Sequence, residues 1–264
     1  MIGPTPLLDF FKRGDVARDV RMEAAQGTLA PRAHEQLAIL ILLVEDSDAE
    51  VRATADDTLS RIPEDVLKTF LARSDVTIDM REFFADRGIF PDEIPALEIE
   101  VDAPLLEAST PDETLLIGEE NEDRDTATQR LAKMSFSERL KAAMKGSREM
   151  RSILIRDPNK MIASAVLSSP KLAEPEVESF AKMANVSEDV LRTIASNRAW
   201  MKNYGIVHSL TKNPKTPLGM SLNLIPRLND RDLAQLSVDR NVPEPLRIAA
   251  RKKVVAKQSG KDRV

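Results

Sequence analysis

"DVRMEAAQGTLAP" at residues 19–31 and "EVRATADDTLSRIP" at residues 50–63 decide how this chain is read. Laid over one another at an offset of 31, they match Val20 with Val51, Arg21 with Arg52 and Ala24 with Ala55. In each, apolar residues fall at i, i+4 and close to i+8, which is one face of a helix. The second copy follows "EDSDAE" (45–50), whose Asp46, Ser47 or Asp48 can accept from free N–H groups at a helix N-terminus. "PEDVLKTFLAR" (63–73) then predicts a partner helix with Pro63 in its first turn, where a missing N–H costs nothing.

The totals agree with helix on helix. The chain has 264 residues, enough for one large domain or two ordinary ones. Aromatics are only 4%, so the core must come from Leu, Ile, Val, Ala and Met, which suits helices better than a β-sandwich. There is no cysteine, which excludes disulfides, thiolate catalysis and cysteine-held zinc or iron–sulfur groups. The start, "MIGPTPLLDFFKRGD", lacks a basic stretch followed by an apolar one. The longest apolar run, "LAILILLV" (37–44), is far short of the roughly 20 residues that span a bilayer. The expectation is a cytoplasmic protein with no membrane span.

Charge divides the chain. Residues 1–128 hold 12 Lys and Arg against 30 Asp and Glu, a net of −18, while residues 129–264 hold 26 against 13, a net of +13. From Glu98 to Asp125 eleven acids face one base, Arg124. Such a block cannot bury enough apolar surface to offset its ordering entropy. Three regions are therefore expected: an acidic helical segment (1–90), a largely flexible acidic linker (91–128) and a basic helical array (129–264). Within the linker, "APLLEASTPDETLL" is the stretch able to form short helices.

The basic region also repeats. "LRTIASNR" (191–198) over "LAQLSVDR" (233–240) matches Leu191 with Leu233, Ile194 with Leu236 and Arg198 with Arg240 at an offset of 42. Pro170 of "SSPK" falls on Pro214 of "KNPKTP" at an offset of 44, and "SERLKAAMKG" (137–146) with "MRSILIRDP" (150–158) reads as an earlier copy. Self-similarity of this length marks stacked helical units, each burying its face against the next. The tail, "RIAARKKVVAKQSGKDRV" (247–264), is expected to cap the stack, apolar inside and charged outside.

The acidic pair, with its Val-Arg, Ala and Leu positions in helical hairpins, resembles HEAT-type repeats over residues 15–88. "DPNKMIASAVLSSP" and "NPKTPLGMSL" resemble the variant leucine-rich repeat, and the whole layout resembles uncharacterised bacterial helical-repeat proteins. The resemblance implies an all-α fold, an α-solenoid of stacked hairpins in two segments joined by the acidic linker. The iron–sulfur cluster of one variant leucine-rich-repeat member does not carry over to a chain without cysteine, and no cofactor is implied.

No catalytic pattern emerges. Neither glycine-rich phosphate loop is present, and two histidines cannot build a His-rich metal site. His34 reads as a partly exposed helix residue, and no serine elbow marks a partner for His208. The chain is expected not to be an enzyme. "NRAWMKNYGIVHSLTKNPKTPLG" (197–219) holds the only Trp and the only Tyr. At helical spacing Trp200, Tyr204 and His208 share a face, and the repeat alignment sets Trp200 over Val242 and Tyr204 over Leu246, which are core positions filling a seam. The alternative is a surface for a partner or nucleic acid, comprising Arg198, Trp200, Lys202, Asn203, Tyr204, Lys212, Asn213 and Lys215. Aromatics among cations are how many proteins hold nucleic acid. In "NPKTP", Asn213 or Thr216 can cap the following helix. The leading expectation is a scaffold binding other proteins. The runner-up is a nucleic-acid binder using 129–264, with the acidic linker as an internal competitor.

Overall fold

The computed structural model describes residues 6–30, 32–92, 104–106 and 124–261. Among these are sixteen α-helices and no strand, so the chain is all-α as expected. It forms two compact units, Met1–Met150 with Ser168–Pro170, and Arg151–Leu167 with Lys171–Val264. The division falls at 150/151 rather than at the change of charge near 128.

In the first unit the helices are α1 (Pro6–Arg13), α2 (Arg18–Ala25), α3 (Ala33–Leu43), α4 (Ala49–Ser60), α5 (Glu64–Leu71), α6 (Ile78–Ala85), α7 (Arg124–Lys133) and α8 (Phe136–Lys145). The run "LAILILLV" lies largely in α3, which packs against α1, α2 and α4 and buries Leu37, Ile39, Leu40 and Leu43. A helix apolar on most sides belongs inside. The two copies read from sequence are α2 and α4, which touch, with Val20, Ala24, Val51 and Ala55 all buried.

Their shared arginine has a structural task. Arg21 Nη1 donates to Val16 O at 2.6 Å, five residues back. Arg52 Nη1 makes the equivalent bond to Ser47 O at 3.0 Å, with a second to Asp46 O. A third copy, "DMR" at 79–81, was not read from sequence. There Arg81 Nε donates to Leu71 O at 3.0 Å and Nη2 to Arg73 O at 2.6 Å, above buried Met80 and Phe84. Each guanidinium ties its helix to the turn before it. Asp48 caps α4 by accepting from Glu50 N and Val51 N, whereas the equivalent Ala17 caps nothing.

Most of the expected linker lies outside the described residues. Of its described residues, 91–92 follow the first helices, 124–128 open α7, and Pro104–Leu106 is a non-helical bend held by one buried side chain. Gln36 Oε1 accepts from Leu105 N at 2.8 Å and from Leu106 N at 3.3 Å. Its Nε2 donates to Leu106 O at 3.0 Å and to Gly27 O at 2.8 Å. A side-chain amide here pairs with backbone as another peptide would. Gly27 takes φ +78°, and a Cβ there would stand 3.3 Å from Thr58 Cγ2.

The second unit follows α9 (Arg148–Leu154), a helix that spans the division. Its helices are α10 (Lys160–Val166), α11 (Glu174–Lys182), α12 (Glu188–Ser196), α13 (Tyr204–Lys212), α14 (Leu218–Leu224), α15 (Asp230–Val238) and α16 (Glu244–Lys261). Alternate helices pack on each other: α10 on α12, α11 on α13, and α14 on α16. The starts of α11, α13 and α15 are separated by 30 and 26 residues, and those of α10, α12, α14 and α16 by 28, 30 and 26. In this register Val177, Val207 and Leu233 are equivalent and buried, as are Phe180, Leu210 and Leu236. The expected period of 42–44 is therefore corrected. It laid α12 on α15, one and a half units out of phase, because Leu191, Ile194, Leu233 and Leu236 are core positions in both kinds of helix.

Candidate functional site

Trp200, Tyr204 and His208 do not share one helix. α12 stops at Ser196, and Asn197 turns extended while its Oδ1 accepts from Ala199 N at 2.9 Å and Trp200 N at 3.3 Å. A 3-10 turn over Trp200–Lys202 leads to Asn203, whose Oδ1 caps α13 by accepting from Gly205 N at 2.8 Å. Trp200 is half-buried and Tyr204 is 42% exposed, where Val242 and Leu246 are 4% and 1%. The seam-filling expectation thus fails with the register that produced it. At the corrected spacing Tyr204 is equivalent to Glu174 and Asp230, first residues of their helices and exposed.

The eight candidate residues fall into two groups. Arg198, Trp200, Lys202, Asn203 and Tyr204 lie at the N-terminal end of α13, and Lys212, Asn213 and Lys215 at its C-terminal end, about 12 Å away along the helix.

At the first end, neighbouring units are linked by polar contacts. Asn203 Nδ2 donates to Glu174 Oε2 at 2.9 Å, tying α13 to α11. The Tyr204 hydroxyl donates to Asp232 Oδ2 at 2.5 Å and accepts from Asn229 N at 3.2 Å, tying α13 to α15. His208 stacks on Tyr204 with ring centroids 6.3 Å apart, and its Nε2 lies 3.7 Å from Asp232 Oδ1. Desolvation, then the bond to Asp232, raises the Tyr204 pKa above its ordinary value. The Tyr204 hydrogen bond in turn holds Asp232 below the usual carboxylate range. Tyr204 is therefore a fixed neutral donor at neutral pH. Sequence reading missed Asp232 and Asn229, yet Asn203 and Asn229 stand 26 residues apart as matching N-caps, a signal visible once the right period is used.

At the second end Asn213 is 5% exposed and belongs to the framework. Its Nδ2 donates to Ala181 O at 2.8 Å and Met183 O at 3.0 Å, the last carbonyls of α11, and its Oδ1 accepts from Lys215 N at 2.9 Å. Lys212 is engaged with Gln235 Oε1 at 2.9 Å. Neither Asn213 nor Thr216 caps α14, contrary to expectation, since the N-cap is Pro217 and the buried Thr216 hydroxyl has no hydrogen-bond partner among the described residues. Lys215 alone of these three faces solvent fully, in a groove of about 520 Å³ with Glu188, Pro214, Thr216, Pro217, Leu218 and Pro243. A second cleft of about 380 Å³, lined by Glu244, Pro245, Ile248, Ala249 and Lys252, adjoins it at Pro243–Pro245. Leu218 is 38% exposed and Ile248 45%. Sequence reading had put only charge on the outside of the last helix.

Among the described residues no group of three or more acids or histidines could hold a metal ion, and no helix is long and apolar enough to cross a membrane. What the fold and these surfaces define is a class: an all-helical protein whose second unit repeats helix pairs and opens grooves at their turns. Compared with known proteins, the chain matches no family model, no curated protein and no solved structure.

Proposed function

We propose that the chain is a non-enzymatic scaffold of HEAT-like helical repeats, an α-solenoid, that binds other proteins. Its second unit does so through the groove at Lys215 and Leu218. The observation that carries this is the way equivalent turns converge on one open face. The starts of α12, α14 and α16 contribute Glu188, Pro217–Leu218 and Pro243 to a single groove. Stacked repeats present such continuous surfaces to extended partners. Rigid proline walls and a half-exposed leucine offer apolar contact with little ordering entropy to lose. Fold alone would not carry the reading, so it rests on the groove.

The test is selection of binders to the full-length chain from a random-peptide display library. The expected result is peptides whose binding falls about tenfold in Lys215→Glu/Leu218→Asp and is unchanged in Tyr204→Phe. Selection that yields no binders, or binders indifferent to the groove substitutions, overturns the reading.

The second reading, a nucleic-acid surface, is favoured by exposed Arg198 and Lys202 beside half-buried Trp200. Against it, Lys215 lies at the other end of that helix, and no aromatic lines its groove. Oligonucleotide titration separates the two. Affinity that falls by orders of magnitude between low and physiological salt from a tight starting value supports nucleic acid. Weak binding at low salt supports the scaffold.

A further inference from the structure

We infer that the face formed by the two adjoining clefts takes an acidic protein segment carrying apolar anchor residues. This deepens the protein-binding reading and rests on it. Three features of the face select that chemistry together.

The first is charge. From Glu244 to Ala256 the last helix carries Arg247, Arg251, Lys252 and Lys253 against the single acid Glu244. Lys252 lines the second cleft and Lys215 the first. Both are exposed and have no ion-pair partner among the described residues. The acid in the first cleft, Glu188, is engaged by Arg192 at 2.6 Å, which leaves Lys215 as the available charge there, while in the second cleft Lys252 stands with Glu244.

The second is apolar surface interleaved with that charge. Leu218 and Ile248 are the large exposed apolar side chains of the face, and Pro217, Pro243, Pro245 and Ala249 stand beside them. A phosphate backbone gains nothing from these groups. They suit leucine-sized side chains, with flanking carboxylates reaching the two lysines. No aromatic lines either cleft, so base stacking has no platform there.

The third is the arrangement of α16 itself. Its Leu246 and Ala250 are buried against the unit. The opposite face follows Glu244, Ile248 and Lys252 at helical spacing, so an isoleucine 45% exposed sits between two charges of opposite sign. A helix face met only by water is ordinarily polar. The same spacing orients a partner, since Lys252 attracts acid at one end of the cleft and Glu244 repels it at the other.

The experiment reads the composition of the peptides selected against the full-length chain. Asp and Glu enriched several-fold over the library, together with at least one large apolar residue, is the expected result. Binding of such a peptide should drop about tenfold in Lys215→Glu/Lys252→Glu and about as much in Ile248→Asp. Val238→Asp, at an exposed site elsewhere, should change nothing. Selected peptides that bind the groove but carry no acidic bias overturn this inference and leave the scaffold reading standing. An empty selection overturns both. Binding lost with the lysine substitutions but kept in Ile248→Asp, and displaced by single-stranded oligonucleotide, overturns the inference in favour of a polyanion site.

Discussion

The first unit ties its turns with arginines, and the second with asparagines and aspartates. In the first, Arg21, Arg52 and Arg81 reach back to carbonyls, while Arg18, Arg61, Lys68, Arg73 and Arg87 stand in ion pairs. In the second, short side chains close the turns on neighbouring N–H groups: Asp157 on Asn159, Asn197 on Ala199, Asn213 on Lys215 and Asp239 on Asn241. The surfaces differ as well. In the first unit acids outnumber bases, and most of the few bases are engaged with carbonyls or carboxylates. In the second, exposed Arg198, Lys202, Lys215, Arg231, Arg240 and Lys252 remain for a partner.

The largest effect that would probe this contrast lies at Arg151, an arginine of the second unit that is sequestered. It is 4% exposed and meets Glu176, 6% exposed, through Nε–Oε1 at 3.1 Å and Nη2–Oε2 at 3.0 Å. Arg151→Met strands a buried carboxylate and should cost about 3–5 kcal/mol. The double variant Arg151→Met/Glu176→Leu should recover most of that loss. Trp200, the only tryptophan, reports on the second unit, so denaturant unfolding followed by its fluorescence makes the measurement. A double variant as unstable as the single one would show that the pair itself, not the stranded charge, matters.

Next in size is Asn213. Asn213→Ala leaves Ala181 O and Met183 O without their donor and should destabilise the second unit by about 2 kcal/mol. Asn213→Asp should be no better, because a carboxylate cannot donate to carbonyls. Asn203→Asp keeps the N-cap acceptor but loses the donation to Glu174 and sets two exposed carboxylates together, so it should cost about 1 kcal/mol, less than Asn213→Ala. Equal effects at the two positions would refute the distinction drawn between bolt and cap. In the first unit Arg81→Ala, half-buried, should cost about 1–2 kcal/mol and exposed Arg52→Ala less than about 1 kcal/mol. Far-UV circular dichroism sums the helices of both units, so the first unit is followed as the helical signal lost apart from the Trp200 transition.

Much of the first unit was legible because its repeat carries a side chain with one task. Val20-Arg21 and Val51-Arg52 align since both valines pack and both arginines reach five residues back. The third copy escaped because Met80 replaces valine and the spacing slips to 29. The second unit misled because Leu191 and Leu233 are core residues on helices of different kind. Apolar periodicity reports that a face is buried, not which of two alternating faces it is. The capping residues Asn203 and Asn229 carried the missing phase. Of the candidate residues, Lys215 alone lies in the groove, because burial of Asn213 depends on carbonyls some thirty residues away that local sequence does not reveal.

The smallest expected effect tests the contrast most directly, since it compares one carboxylate from each unit. Asp48 is held below the ordinary carboxylate range first by its hydrogen bond to Arg18, and Asp232 first by that to Tyr204. A carboxyl lowered on folding contributes stability above its unfolded value, about 3.9, and loses it as pH falls through the lowered folded value. Both units should therefore weaken below about pH 4, and neither contribution should change between pH 5 and 8. Tyr204→Phe should flatten the acid limb of the Trp200 unfolding profile while leaving neutral stability within about 1 kcal/mol. Arg18→Gln should do the same for the helical signal of the first unit. Salt separates the two. The guanidinium partner of Asp48 is exposed and charged, so 1 M salt, with a Debye length of about 3 Å, should erase much of its contribution. Tyr204 is a neutral donor, and its effect on Asp232 should survive that salt. If both acid limbs respond equally to salt, the two units hold their helices by the same kind of force, and the contrast between charged and neutral anchoring is wrong.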